Sequence, residues 1–222
     1  FEANLALVKH QLVIFTWGNV SAIDPSRKYV VIKPSGVAYE TMTKEDMVVV
    51  DLNGHVIEGK LKPSSDTLTH LELYKAFDSI KAVVHTHSKW ATIFAQSKKT
   101  IPIFGTTHAD YFNQSIPITA PMDKALVEHD YELNTGKVIV DHMKTHAINP
   151  MHCPGILVSE HGPFTFGKNA MDAVYHAKVL ETVADMAYHT LMLRDDKSLI
   201  NESLLKKHFE RKHGKNKYYG QN

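Results

Sequence analysis

Val84-His85-Thr86-His87 is the segment in which residue type and spacing make chemistry most readily available. In a strand, residues two apart point to the same side, so His85 and His87 project together. A His-x-His pair at a strand end can chelate a divalent cation through two imidazoles. A third imidazole stands in Ser159-Glu160-His161-Gly162, again at the end of an apolar strand and held by a glycine-proline turn. Three such histidines would leave one coordination position open, as a catalytic metal requires. Alternation puts Glu160 on the opposite side from His161. With no cysteine in the set, the ligands favour Zn²⁺, with Mn²⁺ and Co²⁺ as the other options. Taken singly, each histidine also fits an ordinary surface side chain.

Three short turns add a different chemistry: Thr16-Trp17-Gly18-Asn19, Lys33-Pro34-Ser35-Gly36 and Lys62-Pro63-Ser64-Ser65-Asp66. Backbone N–H groups and hydroxyls beside a lysine suit an anion such as phosphate. The third turn precedes a helix, where unpaired amides and the dipole add to the attraction. None is a Walker A or Rossmann loop, so a nucleotide is not indicated. Each turn alone is also a plain β-turn or cap; their meaning depends on whether they meet. Asp66 either favours the helix dipole or projects into the site as a base or metal neighbour. Asp110, in Gly105-Thr-Thr-His-Ala-Asp110, is a candidate general acid/base, and Tyr218-Tyr219 in the tail are candidates to pack on a neighbouring subunit.

The elements that must position these residues follow from periodicity. Glu2–Gln11 has helical spacing. Tyr29–Lys33, Met47–Asp51, Val56-Ile57, Ala82–His85 and Pro154–Ser159 read as strands. Asp66–Phe77 reads as a helix with Ser64 or Ser65 as N-cap and Leu68, Leu71 and Tyr74 as its apolar stripe. Another helix begins at Ser88. Ala173, Ala177, Leu180, Ala184, Ala187 and Leu191 mark a long one capped by Asn169, and a last helix covers Glu202–Lys212. Strands and helices in mixed order predict an α/β fold, a layered sandwich with a central, mainly antiparallel β-sheet flanked by helices.

The 222 residues carry no repeat or linker, so residues 1–222 are expected to form a single domain. A chain of this size should bury roughly 70–75% of its unfolded surface without disulfide or structural-metal support. Hydrophobic residues make up 43% and charged residues 22%, which excludes a disordered or fibrous chain. Lys plus Arg is 25 and Asp plus Glu 24, a net charge of +1 that gives no reason to expect nucleic acid or an anionic membrane as partner. A single cysteine, Cys153, allows no intrachain disulfide, and no apolar run approaches the roughly 18 residues of a membrane span. A cytoplasmic location is expected. The chain starts at Phe1 rather than Met, so a few residues are expected to be missing before it.

Trp17-Gly-Asn-Val-Ser21, Lys33-Pro-Ser-Gly36, Lys62-Pro-Ser-Ser-Asp66, His85-Thr-His87, Gly105–Asp110, His161-Gly-Pro-Phe164 and the tail Lys212–Gln221 together resemble, in order, the class II aldolase/epimerase family. The likeness runs over essentially the whole chain, and its departures fall in expected loops, Asp51–Gly59 and Pro121–Asp130. The resemblance implies an α/β sandwich assembled as a cyclic homotetramer with active sites between subunits, and one Zn²⁺ per subunit. It implies His85, His87 and His161 as the zinc ligands with Asp66 close to the metal. Gly18, Asn19, Lys33, Ser35, Gly36, Ser64, Ser65 and Asp66 would bind a sugar phosphate. Asp110 matches the family's acid/base residue, and Tyr219 the tyrosine that a neighbouring subunit contributes on the other side of the substrate. His208 and Arg211 are candidates for the same interface.

The activity implied is interconversion of L-ribulose 5-phosphate and D-xylulose 5-phosphate. The C4 hydrogen of a 2-keto pentose is not alpha to the carbonyl, so simple deprotonation cannot invert C4, whereas cleavage of C3–C4 and re-addition can. Proton-transfer groups are then needed on two opposite faces. An ordinary carboxylate near 4 and a phenol near 10 are poorly poised for this at pH 7, so both are expected to be shifted by metal and burial. The alternative is an aldolase that releases dihydroxyacetone phosphate and an aldehyde. Aldolases resembling this chain carry a glutamate where Asp66 stands, which favours the epimerase. A non-catalytic binder of metal or sugar phosphate is the remaining reading.

Overall fold

Ala82–His85 is buried at every position, as a strand must be when the sheet continues on both sides and both faces are covered. In the computed structural model, which describes residues 1–219, this strand (β5) is paired with β1, Asn19–Ile23, and with β7, Pro163–Gly167. The sheet has seven strands, in the order β4-β3-β2-β1-β5-β7-β6. The others are β2 (Tyr29–Ile32), β3 (Val48–Asp51), β4 (Val56–Glu58) and β6 (Gly155–Leu157), and every pairing of neighbours is antiparallel. The expected layered α/β architecture is the observed one.

Alternation along β5 assigns the two faces. Val84 and Ala82 join Val20, Leu7 of α1 (Glu2–Lys9) and Val174 of α7 (Ala170–Leu193) in one apolar cluster. Val83 points the other way, to a larger cluster with Leu71 and Tyr74 of α2 (Thr67–Ala76), Phe94 of α3 (Lys89–Gln96) and Ile139 of α6 (Tyr131–Thr145). The face that holds Val83 also carries His85, and in β1 it carries Asn19 and Ser21. A 3-10 helix over Lys44–Asp46, two short helices, α4 (Thr106–Ala109) and α5 (Lys124–Glu128), and a last helix α8 (Glu202–His213) complete the elements of the described residues.

Caps hold several of these elements. Asn169 Oδ1 accepts from the Asp172 amide, as its position before α7 predicts. Glu181, buried in α7, accepts from the amides of Trp90 and Ala91 at 2.9 and 3.0 Å. That carboxylate meets the unpaired donors at the start of α3, just beyond His87.

Several sequence expectations need correction. The N-cap of α2 is Asp66, not Ser64 or Ser65, and it makes no side-chain capping bond because its carboxylate is engaged elsewhere. Leu68 is exposed, while Leu71 and Tyr74 of the expected stripe are buried. The segment read as a turn at Asn19 begins β1, whose Asn and Ser hide a strand because they face a buried polar patch. The strand expected over Pro154–Ser159 is shorter, and its glycine-proline turn leads straight into β7, masked by a proline at one end and a glycine at the other. The strand expected at Val56-Ile57 is β4, whereas the expected loop Pro121–Asp130 contains α5.

Helix α6 was not legible because Asn134, Thr135 and Gly136 interrupt its helical propensity. Gly136 is there for packing. A Cβ on it would lie 2.7 Å from Glu72 Cβ and 3.0 Å from the Thr69 carbonyl of α2. Alanine would gain about 1 kcal/mol of helix propensity, but forcing two packed helices apart costs about 1–3 kcal/mol. Gly136→Ala is therefore expected to lower the urea midpoint of unfolding; an unchanged or raised midpoint would show that the α2–α6 contact has slack.

Candidate functional site

Register builds the site. The β1–β5 pairing sets Asn19 opposite His85, and the β5–β7 pairing sets His85 opposite Phe164. The His85 ring stacks on Phe164 with centroids 4.3 Å apart and 16° between planes. Its Nδ1 is 3.0 Å from the Pro163 carbonyl, an acceptor only, so Nδ1 carries the proton and Nε2 the lone pair. His87 follows β5 on the same side, and a tight turn brings in His161, whose amide donates to Val158 O. Within that turn Glu160 points outward and pairs with Lys98 at 2.9 Å, in line with its expected orientation.

Among the described residues, His85, His87 and His161 form a group whose ligand atoms all lie within 4.8 Å of one another. His85 Nε2 and His87 Nε2 are 3.1 Å apart. Two lone pairs at that separation repel unless a proton or a cation lies between them. Burial, then repulsion from His85, pushes His87 down to about 4. Burial and the same neighbours push His161 down to about 3. Protons are thus disfavoured where neutral imidazoles converge. Tetrahedral Zn–N bonds of about 2.05 Å place ligand nitrogens roughly 3.3 Å apart, close to the spacing found. The donor set and its spacing fit a divalent metal ion.

The three polar turns converge on this group. Pro34 and Pro63 form an antiparallel bridge, the Ser35 amide donates to Lys62 O, and the Ser64 amide donates to Lys33 O, both at 2.9 Å. Asn19 Nδ2 donates to Ser64 Oγ at 3.0 Å and to Asp66 Oδ2 at 2.6 Å, while its Oδ1 is buried without a partner. Gly18 has a φ of +82°, and a Cβ there would lie 2.8 Å from the His85 carbonyl, so only glycine lets this turn lie against β5. The result is a pocket of about 580 Å³ lined by Gly18, Asn19, Lys33, Ser35, Gly36, Ser64, Ser65, Asp66, the three histidines and neighbours including Trp17. Every residue expected to bind substrate lines this one pocket.

Two of them are also engaged by other groups of the chain. The Lys33 ammonium is turned away from solvent and donates to the carbonyls of Val37 at 2.8 Å and Pro34 at 3.3 Å, beneath the Tyr39 ring. Burial lowers its pKa. Asp66 stands in the pocket but outside the three-imidazole group. Burial works against its ionisation; the imidazoles of His85 and His70 and the bond from Asn19 outweigh it, so its pKa ends below the ordinary range.

Sequence reasoning missed Tyr131 and Glu132, which also line the pocket from the start of α6. It missed His70 as well, which is buried beneath Asp66 with Nδ1 2.7 Å from Ser21 Oγ; Ser21 Oγ is also 2.7 Å from Tyr74 Oη. The Thr-His spacing after Asp66 was the available signal for His70; for Tyr131 there was none.

Asp110 and Tyr219 lie together, away from the residues lining this pocket. The Asp110 carboxylate accepts from Arg211 Nη2 at 2.8 Å and Arg211 Nε at 3.1 Å; His208 Nδ1 is 3.0 Å away and Lys212 Nζ 3.4 Å. Tyr219 lies against the same cations, its ring 4.8 Å from the Arg211 guanidinium and 4.5 Å from Lys212. Burial alone would raise the Asp110 pKa, but the bonds from Arg211 and His208 and the charge of Lys212 hold it below the ordinary range. The expected upward shift is not found in the single chain.

The model of the class II aldolase and adducin N-terminal domain family matches residues 1–188. Among solved structures, an L-fuculose 1-phosphate aldolase is similar at 23% identity, covering 95% of this chain and 92% of its own, with a TM-score of 0.77. The L-fuculose 1-phosphate aldolase of Glaciozyma antarctica PI12 is 19% identical over 94% of this chain and 77% of its own, with a TM-score of 0.74. YgbL of Klebsiella pneumoniae is 20% identical over 93% of each chain, with a TM-score of 0.70. At these identities the likeness is one of fold. Among the described residues, no helix is long and apolar enough to cross a membrane.

The Asp110 cluster has a consequence for stability. Asp110→Asn leaves several donors without their anion and is expected to cost about 1–3 kcal/mol, with faster amide exchange across α8. Because the folded carboxyl sits below its unfolded value, its contribution is full above roughly pH 4 and is lost as pH falls through the depressed value. The wild type's advantage over the variant, read from urea midpoints, should therefore be complete at pH 7 and shrink below about pH 4. An equal difference at all pH values would rule out the ion pairs as its source.

Proposed function

This chain belongs to the class II aldolase and adducin N-terminal domain family, and from that premise we propose that it is a zinc-dependent epimerase interconverting L-ribulose 5-phosphate and D-xylulose 5-phosphate. The observation that carries the reading is the shared pocket, in which three convergent imidazoles face hydroxyls and amides suited to a phosphate. A ketose phosphate offers the two matching ends, neighbouring oxygens for a cation and a dianion for the turns.

A divalent ion held by His85, His87 and His161 would supply Lewis-acid stabilisation of charge developing on the keto half of the substrate. The chain's own residues do the rest. Ser35, Gly36, Ser64 and Ser65 hold the phosphate, and Lys33 stiffens the turn that presents two of them. Asn19 and Asp66, bonded to each other, orient the sugar between the phosphate and the imidazoles. Cleavage starts when the C4 hydroxyl gives up its proton; the C3–C4 electrons pass to the keto half and leave glycolaldehyde phosphate anchored. After its aldehyde turns over, re-addition restores the bond with C4 inverted, and the new alkoxide takes up a proton.

Asp110 and Tyr219 suit these two transfers. Ion pairs keep Asp110 in the form that accepts a proton, and the Tyr219 phenol carries an O–H to give. Neither lines the pocket of its own chain, so under this reading they reach it across the boundary between copies in a homotetramer. A cytoplasmic location fits a chain whose single cysteine, Cys153, allows no intrachain disulfide.

The competing reading is an aldolase of the same family. Asp66 argues against it, since it is a shorter carboxylate than the glutamate that resembling aldolases carry there, and its Oδ2 is tied to Asn19. A coupled assay on L-ribulose 5-phosphate, run as purified, after chelation and after Zn²⁺ is restored, separates the readings. D-xylulose 5-phosphate that disappears with the chelator and returns with zinc is the expected result. Chelator-sensitive cleavage of a ketose 1-phosphate instead would make it an aldolase, and silence on both would overturn both readings and leave only the fold.

A further inference from the structure

Tyr131 opens helix α6 directly after Asp130, which adopts a left-handed conformation with φ 51° and ψ 44° and turns the chain sharply into the pocket. Its hydroxyl is 3.1 Å from His161 Nδ1. Its ring lies over the same imidazole, with centroids 6.1 Å apart and 30° between planes. Two of the three converging histidines thus have their far nitrogen engaged, His85 by the Pro163 carbonyl and His161 by Tyr131.

The two partners differ chemically. A carbonyl can only accept, so His85 has one permitted tautomer. A phenol can accept or donate, so the His161 tautomer depends on which role Tyr131 plays. If Tyr131 donated, the lone pair of His161 would face the phenol and its Nε2–H would point at His85 and His87, closing the site to a cation. If Tyr131 accepts, the Nε2 lone pair joins the other two. Only the second arrangement is compatible with three ligand atoms within 4.8 Å serving one ion.

The backbone that carries Tyr131 is fixed on both sides. Thr135 Oγ1 donates to the Tyr131 carbonyl at 2.8 Å. Thr69 Oγ1, on α2, donates to the Glu132 carbonyl at 2.6 Å. The close approach at Gly136 seats the same helix one turn further on. Tyr131 is therefore held by the helix whose N-cap is Asp66, and not by a free loop.

We propose that Tyr131 is a positioning residue that accepts the Nδ1–H of His161 and so fixes it in the Nε2-ligating tautomer. The proposal rests on the metal-site reading above. Partners of metal-bound histidines act by holding ring orientation and tautomer, and their loss weakens metal binding by roughly 10- to 100-fold.

The test uses the whole protein and does not need turnover. Metal-free wild type, Tyr131→Phe and His161→Ala are titrated with Co²⁺ or Zn²⁺ against a competing chelator, and imidazole ¹⁵N shifts of the metal-free proteins report the His161 tautomer. Wild type is expected to bind, His161→Ala to lose binding, and Tyr131→Phe to bind roughly 10- to 100-fold more weakly. The Nδ1–H form of His161 should dominate in wild type and give way to a mixture in Tyr131→Phe, while the urea midpoint of the metal-free protein stays close to wild type. A purely structural tyrosine would move the midpoint and leave the tautomer alone. Absence of metal binding by wild type overturns the metal site itself. Binding by wild type with equal affinity and an unchanged tautomer in Tyr131→Phe overturns the role given to Tyr131 alone.

Discussion

Because β5 is hydrogen-bonded along both edges, His85 cannot shift relative to Asn19 on one side or Phe164 on the other without breaking backbone pairs in a dry interior. That constraint sets the geometry of everything nearby. It fixes which face of the sheet holds the imidazoles, since Val83 and His85 share a side with Asn19 and Ser21. It also fixes why the glycine at 18 has no substitute, as the turn entering β1 passes directly over the His85 carbonyl. The remaining parts of the pocket come from far along the chain and are tied to this strand one at a time, Ser64 and Asp66 through Asn19 and His161 through its turn.

The site is built against the usual preference of charged groups for water. Buried imidazoles lose protons readily, and here burial and crowding both push the same way. Neutral nitrogens already gathered within 4.8 Å of one another would spend little binding energy on coming together around a cation. Asp66 is the counterweight. Its negative charge survives burial because imidazoles and an amide surround it, and it would lower the cost of bringing a dication into the same space.

Much of this was legible in the sequence where the pattern was local. The His-x-His pair, the strand that carries it, the long α7 with its Asn169 cap and the last helix are all read from spacings of two, three and four. The three turns were each recognisable as possible anion sites, but only the Pro34–Pro63 bridge and the two-way reach of Asn19 show that they meet. The strands β1 and β7 escaped notice because buried polar residues and flanking proline and glycine imitate turns. Tyr131 and helix α6 escaped because their placement depends on α2, more than sixty residues earlier in the chain. Asp110 was recognisable as a functional candidate, yet its ring of cations comes from α8, a hundred residues away, and reverses the pKa shift expected of it.

The inward turn of Lys33 changes how an anion would meet this pocket. With the ammonium committed to two carbonyls, the walls near Ser35 and Ser64 present oriented dipoles instead of a mobile full charge. Fields from dipoles die away within a few ångströms, whereas a free cation attracts over about one Debye length, roughly 8 Å at physiological ionic strength. Capture here would owe little to long-range steering and much to the fit of hydrogen-bond directions. Under the proposed reading, binding at such a pocket would depend less on ionic strength than binding at a site that relies on bare charge.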